Sequence, residues 1–321
     1  MRTYLMRRIL QIIPVLFGIT ILVFFIVHSA PGDPTTKMMD PKMSVEEKMR
    51  LKEKFGVDKP IIVQYFDWIS EVFKGNLGFS WKFQRPVSEV MGERMLSTFY
   101  LAVVSLLLAL IVGIPAGVIS ATRQYTKLDY FFTVFALVGI SVPSFFFALL
   151  LIKFFAIDHG MFPISGMRSP MASDWSSWEQ FKDIASHTVL PAVVLGLGST
   201  ASFMRYTRSS MLEVIRQDYI RTARSKGLSE RVVIYKHALR NALIPIITLL
   251  GFWIPGLFSG ALITEQVFAW PGMGLLGYQA VTDRDYPLLM GVNLFLSFLT
   301  LIGNLLADLF YGFADPRIKY D

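Results

Sequence analysis

The most regular feature of the sequence is a series of six stretches that contain no Asp, Glu, Lys or Arg. They are residues 9–27, 95–122, 130–152, 188–204, 241–264 and 286–307. A helix needs about 20 mainly apolar residues to cross a hydrocarbon core of about 30 Å, and its backbone groups must be satisfied within the segment. The pattern predicts an all-α membrane protein with six transmembrane helices, of which the fourth, 17 residues long, is the shortest. Prolines inside several stretches, Pro143 among them, predict local kinks.

The segment at 29–94, between the first two predicted helices, carries helix signals of its own. Ser44 and Glu47 have the spacing of a capping box, in which each side chain satisfies the backbone amide of the other residue. We expect a helix that begins there and ends at Gly56, because glycine tolerates a positive φ after a helix. A second amphipathic stretch follows at 63–73. The segment is therefore predicted to be a folded region outside the membrane.

The charged residues predict how the helices are oriented. The composition is 53% hydrophobic and 17% charged, with a mean hydropathy of +0.49 and a net charge of +7. The loop at 205–240 holds nine basic and three acidic residues, so it carries most of that net charge. Lys and Arg concentrate in cytoplasmic loops. This loop and both termini are therefore placed inside the cell, which gives an N-in/C-in arrangement.

Several kinds of chemistry have no support in the sequence. The absence of cysteine excludes disulfides, thiolate catalysis and cysteine-ligated metals. The chain also lacks the Gly-x-x-x-x-Gly-Lys-Ser/Thr phosphate loop, the His-Glu-x-x-His zinc pair and the Gly-x-Ser-x-Gly elbow. Ion-driven transporters place ionisable groups within their spans, and none of the six stretches contains an acidic or a Lys or Arg residue. We expect a non-enzymatic membrane conduit without cofactor, metal or nucleic acid, driven by another chain. A membrane scaffold or receptor module is the alternative from a different class.

The loop at 205–240 shows helical patterns on both sides of Gly227, which predicts two helices separated by a sharp turn. Arg224 and Lys226 would then lie in the last helical turn, where cations interact favourably with the helix dipole. Retention of the loop inside the cell accounts for its basic residues equally well. It does not account for the two helices separated by a glycine.

Short motifs occur in order along nearly the whole chain. They are Pro-Gly-Asp-Pro at 31–34, Gly-Asn-Leu-Gly-Phe-Ser at 75–80, Ser-Val-Pro-Ser-Phe at 141–145, Asp-Tyr-Ile-Arg-Thr-Ala-Arg-Ser-Lys-Gly-Leu at 218–228, His-Ala-Leu-Arg-Asn-Ala-Leu-Ile-Pro at 237–245, Glu-Gln-Val-Phe-Ala-Trp-Pro-Gly-Met-Gly at 265–274, Arg-Asp-Tyr-Pro at 284–287 and Asp-Pro-Arg-Ile at 315–318. Together they resemble the permeases of binding-protein-dependent ABC importers, and are most similar to the B-type permeases of the oligopeptide/dipeptide and nickel group.

The resemblance implies a type I ABC importer permease architecture. Residues 1–28 would form an N-terminal transmembrane helix, 29–94 the exterior segment, 95–312 a five-helix core with the loop at 205–240, and 313–321 a cytoplasmic tail. The implied partners are a second homologous permease subunit, two cytosolic ATPase subunits that bind ATP and Mg²⁺, and an extracytoplasmic peptide-binding protein.

The implied function is ATP-driven import of oligopeptides or dipeptides by alternating access across a prokaryotic inner membrane. Nickel complexes, glutathione and oligosaccharides remain alternative solutes for the same type of importer.

The resemblance also places a coupling helix, which docks on an ATPase, at about 219–227. Its expected docking residues are Tyr219, Arg221, Thr222, Ala223, Arg224, Lys226 and Gly227. The family motif Glu-Ala-Ala-x-x-x-Gly is matched only at its second Ala and its Gly, since Arg221 and Thr222 occupy the first two positions. Ala223 is expected where close approach to the ATPase requires a small side chain.

An outer mouth that contacts the binding protein is expected at 265–287 together with the exterior segment. Its candidate contact residues are Glu265, Arg284 and Asp285. The competing interpretation is that these residues belong to plain structural loops.

Overall fold

The computed structural model describes residues 2–29, 43–56, 58–253 and 256–314, and most of the described chain is helical. The first helices are α1 (Arg2–His28), α2 (Val45–Phe55), α3 (Ile61–Phe73), α4 (Val87–Thr122), α5 (Lys127–Ser141), α6 (Ser144–Leu151) and α7 (Ser177–Ile215). They are followed by α8 (Asp218–Ser225), α9 (Glu230–Val232), α10 (Leu239–Ala242), α11 (Ile244–Trp253), α12 (Gly256–Ser259), α13 (Leu262–Val267), α14 (Met273–Asp283) and α15 (Tyr286–Ala314).

Shorter elements complete the described chain. α6 and α9 continue into the π-helical segments Ile152–Asp158 and Val233–Ala238, and Ala172–Asp174 forms a 3₁₀ turn. Two short strands, β1 (Phe79–Ser80) and β2 (Arg85–Pro86), pair in antiparallel fashion just before α4. The motifs at 31–34 and 315–318 lie outside the described residues, as does most of the expected tail.

Within the described residues, four helical segments are long and apolar enough to cross a membrane. They are Leu10–His28, Val87–Thr122, Ser177–Ile215 and Tyr286–Leu305. α5 and the extended α6 form a fifth candidate that is bent by 106°. The predicted crossing at 241–264 stays a prediction, and the described part of this stretch is divided among α10, α11, α12 and α13. One cause is Gly260, whose φ of +82° lies outside the range of a right-handed helix.

Pro143 causes the bend between α5 and α6. Proline has no amide hydrogen to donate to the carbonyl oxygen of Gly139, and its ring disfavours a helical conformation of the preceding residue. Val142 accordingly has φ −77° and ψ 126°, and α6 begins directly after the proline. The predicted kink is therefore a break between two helices.

The described part of the segment that follows α1 contains the two helices that the sequence predicts. The Ser44 amide donates to Glu47 Oε2 at 2.8 Å, and the Glu47 amide donates to Ser44 Oγ at 3.2 Å. Gly56 follows α2 with a φ of +65°, which confirms both the capping box and the glycine stop. α3 packs on α1, and the hydroxyl groups of Tyr65 and Thr20 are 3.0 Å apart. The folded segment is thus attached to the first candidate span.

α4 and α7 make the most extensive helix contact of the described residues, and glycines bring their backbones together. A Cβ atom on Gly117 would lie 2.6 Å from Thr207 Cβ and 2.7 Å from the carbonyl oxygen of Met204. A Cβ atom on Gly113 would lie 2.8 Å from the carbonyl oxygen of Thr200. These separations are too short for real carbon atoms, so the contact requires glycine. Small residues four apart allow membrane helices to pack closely in this way.

We predict that Gly117→Ala destabilises the protein, because the added methyl group must separate α4 from α7. Overpacking of this kind costs about 1–3 kcal/mol. The thermal midpoint of the purified chain in detergent should fall. Gly92→Ala is the matched control on the same helix, since no atom lies within 4 Å of a Cβ at that position. A midpoint that is equal in the two variants would contradict the assigned contact.

Candidate functional site

α8 lies on a platform that consists of the adjoining ends of α4 and α7 and the π-helical segment Val233–Ala238. Its residues Ile220 and Ala223 are 0% and 7% exposed. They pack in one apolar cluster with Val118 and Ala121 of α4 and Met211 of α7. One face of α8 is therefore fixed to the helices that carry the longest candidate spans.

Backbone conformation sets both ends of α8. Gln217, just before the helix, is extended with a ψ of 149°, and Gly227, just after it, has a φ of +77°. The predicted turn at Gly227 between two helices is confirmed. No atom lies within 4 Å of a Cβ built on Gly227, so glycine is required there by its φ angle and not by a close contact.

The opposite face of α8 is polar and exposed. Tyr219 is 45% exposed, and the side chain of Arg221 is 79% exposed. Arg224 donates to both carboxylate oxygens of Glu230, at 2.7 and 3.1 Å, across the turn at Gly227. This hydrogen bonding lowers the pKa of the Glu230 carboxyl group below its ordinary value. The turn is thereby closed by a charge pair at the surface.

Most of the expected docking residues share this exposed face or its C-terminal end. They are Tyr219, Arg221, Thr222, Arg224 and Lys226. Ala223 does not, because it is buried in the platform. The expectation that Ala223 touches a partner is therefore corrected, and its small side chain instead allows α8 to lie close to α4 and α7.

The sequence patterns do not predict an ion pair beside the platform, in which the carboxylate is buried and the arginine side chain is 32% exposed. Asp129, in the first turn of α5, is 5% exposed. Its two carboxylate oxygens accept hydrogen bonds from Nε and Nη2 of Arg208 on α7, each at 3.1 Å. Ser120 of α4 donates to the same carboxylate, and the Tyr125 amide donates at 3.1 Å. The sequence does show an acidic residue, Asp129, directly before an apolar stretch. Its partner lies 79 positions away, so local spacing could not identify the pair.

Glu265 is expected at the outer mouth, but the structure buries it to 1% exposure. Its Oε1 accepts from the Thr98 hydroxyl at 3.0 Å and from the Ala261 amide at 3.1 Å, and its Oε2 accepts from the Leu275 amide at 2.8 Å. A Cβ atom on Gly272 would lie 2.3 Å from this carboxylate. Glu265 therefore connects α4, α13 and α14, and glycine provides the space that it occupies.

Asp285 is also 1% exposed. Its Oδ2 accepts from the Ser80 hydroxyl at 2.5 Å and from the Lys82 amide at 3.0 Å, and its Oδ1 accepts from the Leu288 amide at 3.2 Å. From the sequence, Glu265 and Asp285 are expected to contact another protein. This expectation is corrected, because both side chains are buried and their hydrogen bonds are made within the chain. Arg284, which is partly exposed, is the candidate of the three that retains accessible surface.

A cavity of about 860 Å³ lies beside the break between α5 and α6. Its wall includes residues 139–144, the middle of α7 and residues 261–264. The polar side chains in the lining are those of Ser141, Ser144, Ser199, Ser202 and Thr264, along with the indole of Trp253. The described lining contains no Asp, Glu, Lys, Arg or His. The cavity thus offers hydroxyl groups and apolar surface but no fixed charge.

Comparison with known proteins identifies two family regions. The family described as binding-protein-dependent transport system inner membrane component matches residues 113–320. A second family, described as the N-terminal part of the membrane component of the same transport systems, matches residues 1–102. The two matches together cover most of the chain and include α8, its platform and the cavity.

Curated relatives are similar over their full length. The oligopeptide transport system permease protein AppB of Bacillus subtilis is 43% identical, and the alignment covers 100% of both chains. The dipeptide transport system permease protein DppB of Escherichia coli K12 is 39% identical over 100% of this chain and 99% of its own. The di/tripeptide transport system permease protein DppB of Pseudomonas aeruginosa is 37% identical over the same shares.

A solved structure supports the fold. A chain of the MetNI methionine ABC transporter in an inward-facing conformation superposes with a TM-score of 0.53 at 18% identity. The superposition covers 71% of this chain and 97% of that chain. The helical fold, the two family matches and the full-length relatives lead to one conclusion: this chain belongs to the family of inner membrane components of binding-protein-dependent transport systems.

Proposed function

We propose that this chain is the transmembrane permease subunit of an ATP-driven importer, and that it moves peptides inward by alternating access. The observation that carries the proposal is the full-length similarity, at 37–43% identity, to permeases named for oligopeptide, dipeptide and di/tripeptide transport. Nickel complexes, glutathione and oligosaccharides are the alternative solutes that the transport experiment below distinguishes.

The chain itself is non-catalytic, and ATP hydrolysis belongs to partner subunits. The sequence has no phosphate-binding loop, and its relatives are named as permeases. In the proposed complex, two cytosolic ATPases bind ATP and Mg²⁺, a second homologous permease completes the membrane part, and an extracytoplasmic peptide-binding protein delivers the substrate. The family description, which refers to binding-protein-dependent transport, supports the binding protein among these partners.

The proposed topology has six crossings of a bacterial inner membrane with both termini inside. Five candidate spans support it, counting α5 and α6 as one, and the sixth would comprise the interrupted helices α10–α13. The basic residues of 205–240 support an internal position for α8 and its platform.

The exposed face of α8 is the proposed docking site for an ATPase. The arrangement supports this role because α8 is amphipathic, packs firmly on α4 and α7 on one side, and presents Tyr219 and Arg221 on the other. A helix that is fixed on one face can transmit a displacement to the spans below it. At the opposite end, Arg284 and the folded segment of α2 and α3 form the proposed contact region for the binding protein.

The cavity beside the α5–α6 break is the proposed passage for the peptide. Its hydroxyl groups can hydrogen-bond a peptide backbone, and broken helices commonly line substrate sites in transporters. Such a passage would discriminate only weakly between peptides of different charge, because its described lining contains no charged side chain.

The transport experiment uses the complete complex in vesicles, with the two permeases, both ATPases and the binding protein. We expect ATP-dependent uptake of labelled di- and oligopeptides that falls to background when the ATPases are omitted. The purified chain alone should hydrolyse no more ATP than a mock preparation. Uptake of labelled nickel complex, glutathione or oligosaccharide without uptake of peptide would refute the peptide assignment.

We predict that Arg221→Glu reduces the amount of ATPase that copurifies with the permease by about tenfold, because reversal of an interface charge commonly costs more than about 1.4 kcal/mol. The thermal midpoint of the permease should not change, since this side chain is 79% exposed. Arg168→Glu is the control, because that arginine is also exposed but lies in the loop before α7. Equal ATPase recovery from both variants would exclude docking through this face.

We predict that Ser199→Asp makes uptake depend on peptide charge. A fixed negative charge in the cavity should slow anionic peptides about tenfold relative to cationic ones, which corresponds to about 1.4 kcal/mol. Ser173→Asp introduces the same charge at an exposed position away from the cavity. It should leave the ratio of anionic to cationic peptide uptake unchanged. If the Ser199→Asp complex and the native complex take up anionic and cationic peptides in the same ratio, the cavity is not the passage.

A further inference from the structure

The Asp129–Arg208 pair joins three helices at one point. Arg208 of α7 contacts both carboxylate oxygens of Asp129 on α5, and its Nε also donates to Ser120 Oγ of α4 at 3.0 Å. The Tyr125 amide donates to Asp129 Oδ2, so both carboxylate oxygens have two donors. Bidentate pairs between arginine and a carboxylate are directional as well as strong. This geometry fixes the start of α5 relative to α4 and α7.

The pair lies directly beside the platform of α8. Ser120 precedes Ala121, a platform residue of α4, and Arg208 lies about one turn before Met211, the platform residue of α7. α8 and α5 are therefore attached to the same parts of α4 and α7. A displacement of α8 that moves the platform also moves the ion pair.

The far end of α5 reaches the cavity. The helix is 15 residues long, so it spans about 22 Å from the ion pair to the break. Between these ends, the contacts of α5 include Ala136 and Phe132, which belong to one apolar cluster with Ala201 of α7, and Gly139, which lies close to Leu197. Apolar contacts are non-directional, so they fix the position of a helix less sharply than a bidentate ion pair does. The break at Pro143 then separates the movement of α5 from that of α6.

We propose that Asp129 and Arg208 are positioning residues that make α5 move with the platform, so that a displacement of α8 reaches the cavity through α5. The proposal rests on the proposed function, in which an ATPase displaces α8. A static role, in which the pair only holds the folded chain together, is the competing explanation.

The test measures peptide uptake per ATP hydrolysed in the complete reconstituted complex. Arg208→Lys retains the positive charge but loses the bidentate geometry, and Ser120→Ala removes one hydrogen bond. Both changes are mild enough for the folded complex to form. We expect ATPase activity within about twofold of the native complex, with uptake per ATP reduced about tenfold in Arg208→Lys and less in Ser120→Ala.

Ser169→Ala is the matched control for a static role. It removes the hydroxyl that donates to the buried Asp183 at 2.6 Å, near the other end of α7. We expect this variant to lower the thermal midpoint and leave uptake per ATP unchanged. The proposal is overturned if Arg208→Lys keeps the native ratio, or if Ser169→Ala lowers the ratio equally. Failure of the native complex to import peptide would instead refute the proposed function.

A second measurement follows α5 directly. The chain has no cysteine, so Ser141→Cys places a single thiol at the exposed end of α5. In the complex that carries only this change, the rate of thiol labelling should differ between the nucleotide-free and ATP-bound states. Arg208→Lys should remove most of that difference. Labelling that is independent of nucleotide, or a difference that Arg208→Lys leaves intact, would refute the movement of α5 with the platform.

Discussion

The close backbone contact of α4 with α7 is the constraint on which the other features depend. In a membrane, lipid chains are as apolar as the helices, so packing and polar contacts must hold helices together. Gly113 and Gly117 allow the two backbones to approach, and one end of this helix pair supports α8. The middle of α7 then forms part of the cavity wall. The proposed docking face and the proposed passage therefore share one closely packed pair of helices.

Buried carboxylates connect distant parts of the chain, and those of Asp129 and Glu265 connect other helices to this pair. Asp129, Glu265 and Asp285 accept hydrogen bonds from residues as far as 79, 167 and 205 positions away in the sequence. Each buried charge is costly unless it is hydrogen-bonded, so each one strongly favours a single local arrangement. Glu265 and Asp285 thus hold separate elements of this chain together, and an apolar contact would specify their geometry less sharply.

Features that depend on neighbouring residues were predictable from the sequence. The capping box at Ser44, the turn at Gly227 and the positions of five candidate spans follow from local spacing and apolar length. Features that depend on distant partners were not. Nothing near Glu265 in the sequence reveals that Thr98 will bury it. The face on which Ala223 lies depends likewise on α4 and α7, so a family motif could identify the helix but not the environment of each residue.

The charged contacts between helices are separate from the uncharged lining of the cavity. The ion pair of Asp129 and Arg208 lies at the platform, whereas the described cavity lining contains only uncharged side chains. A passage must bind a solute strongly enough to admit it and weakly enough to release it. A fixed charge in a low-dielectric wall would retain solutes of one sign and repel those of the other. In the proposed passage, hydroxyl groups would bind a solute more weakly and without preference for charge, while the directional charged contacts lie where helices must keep their relative positions.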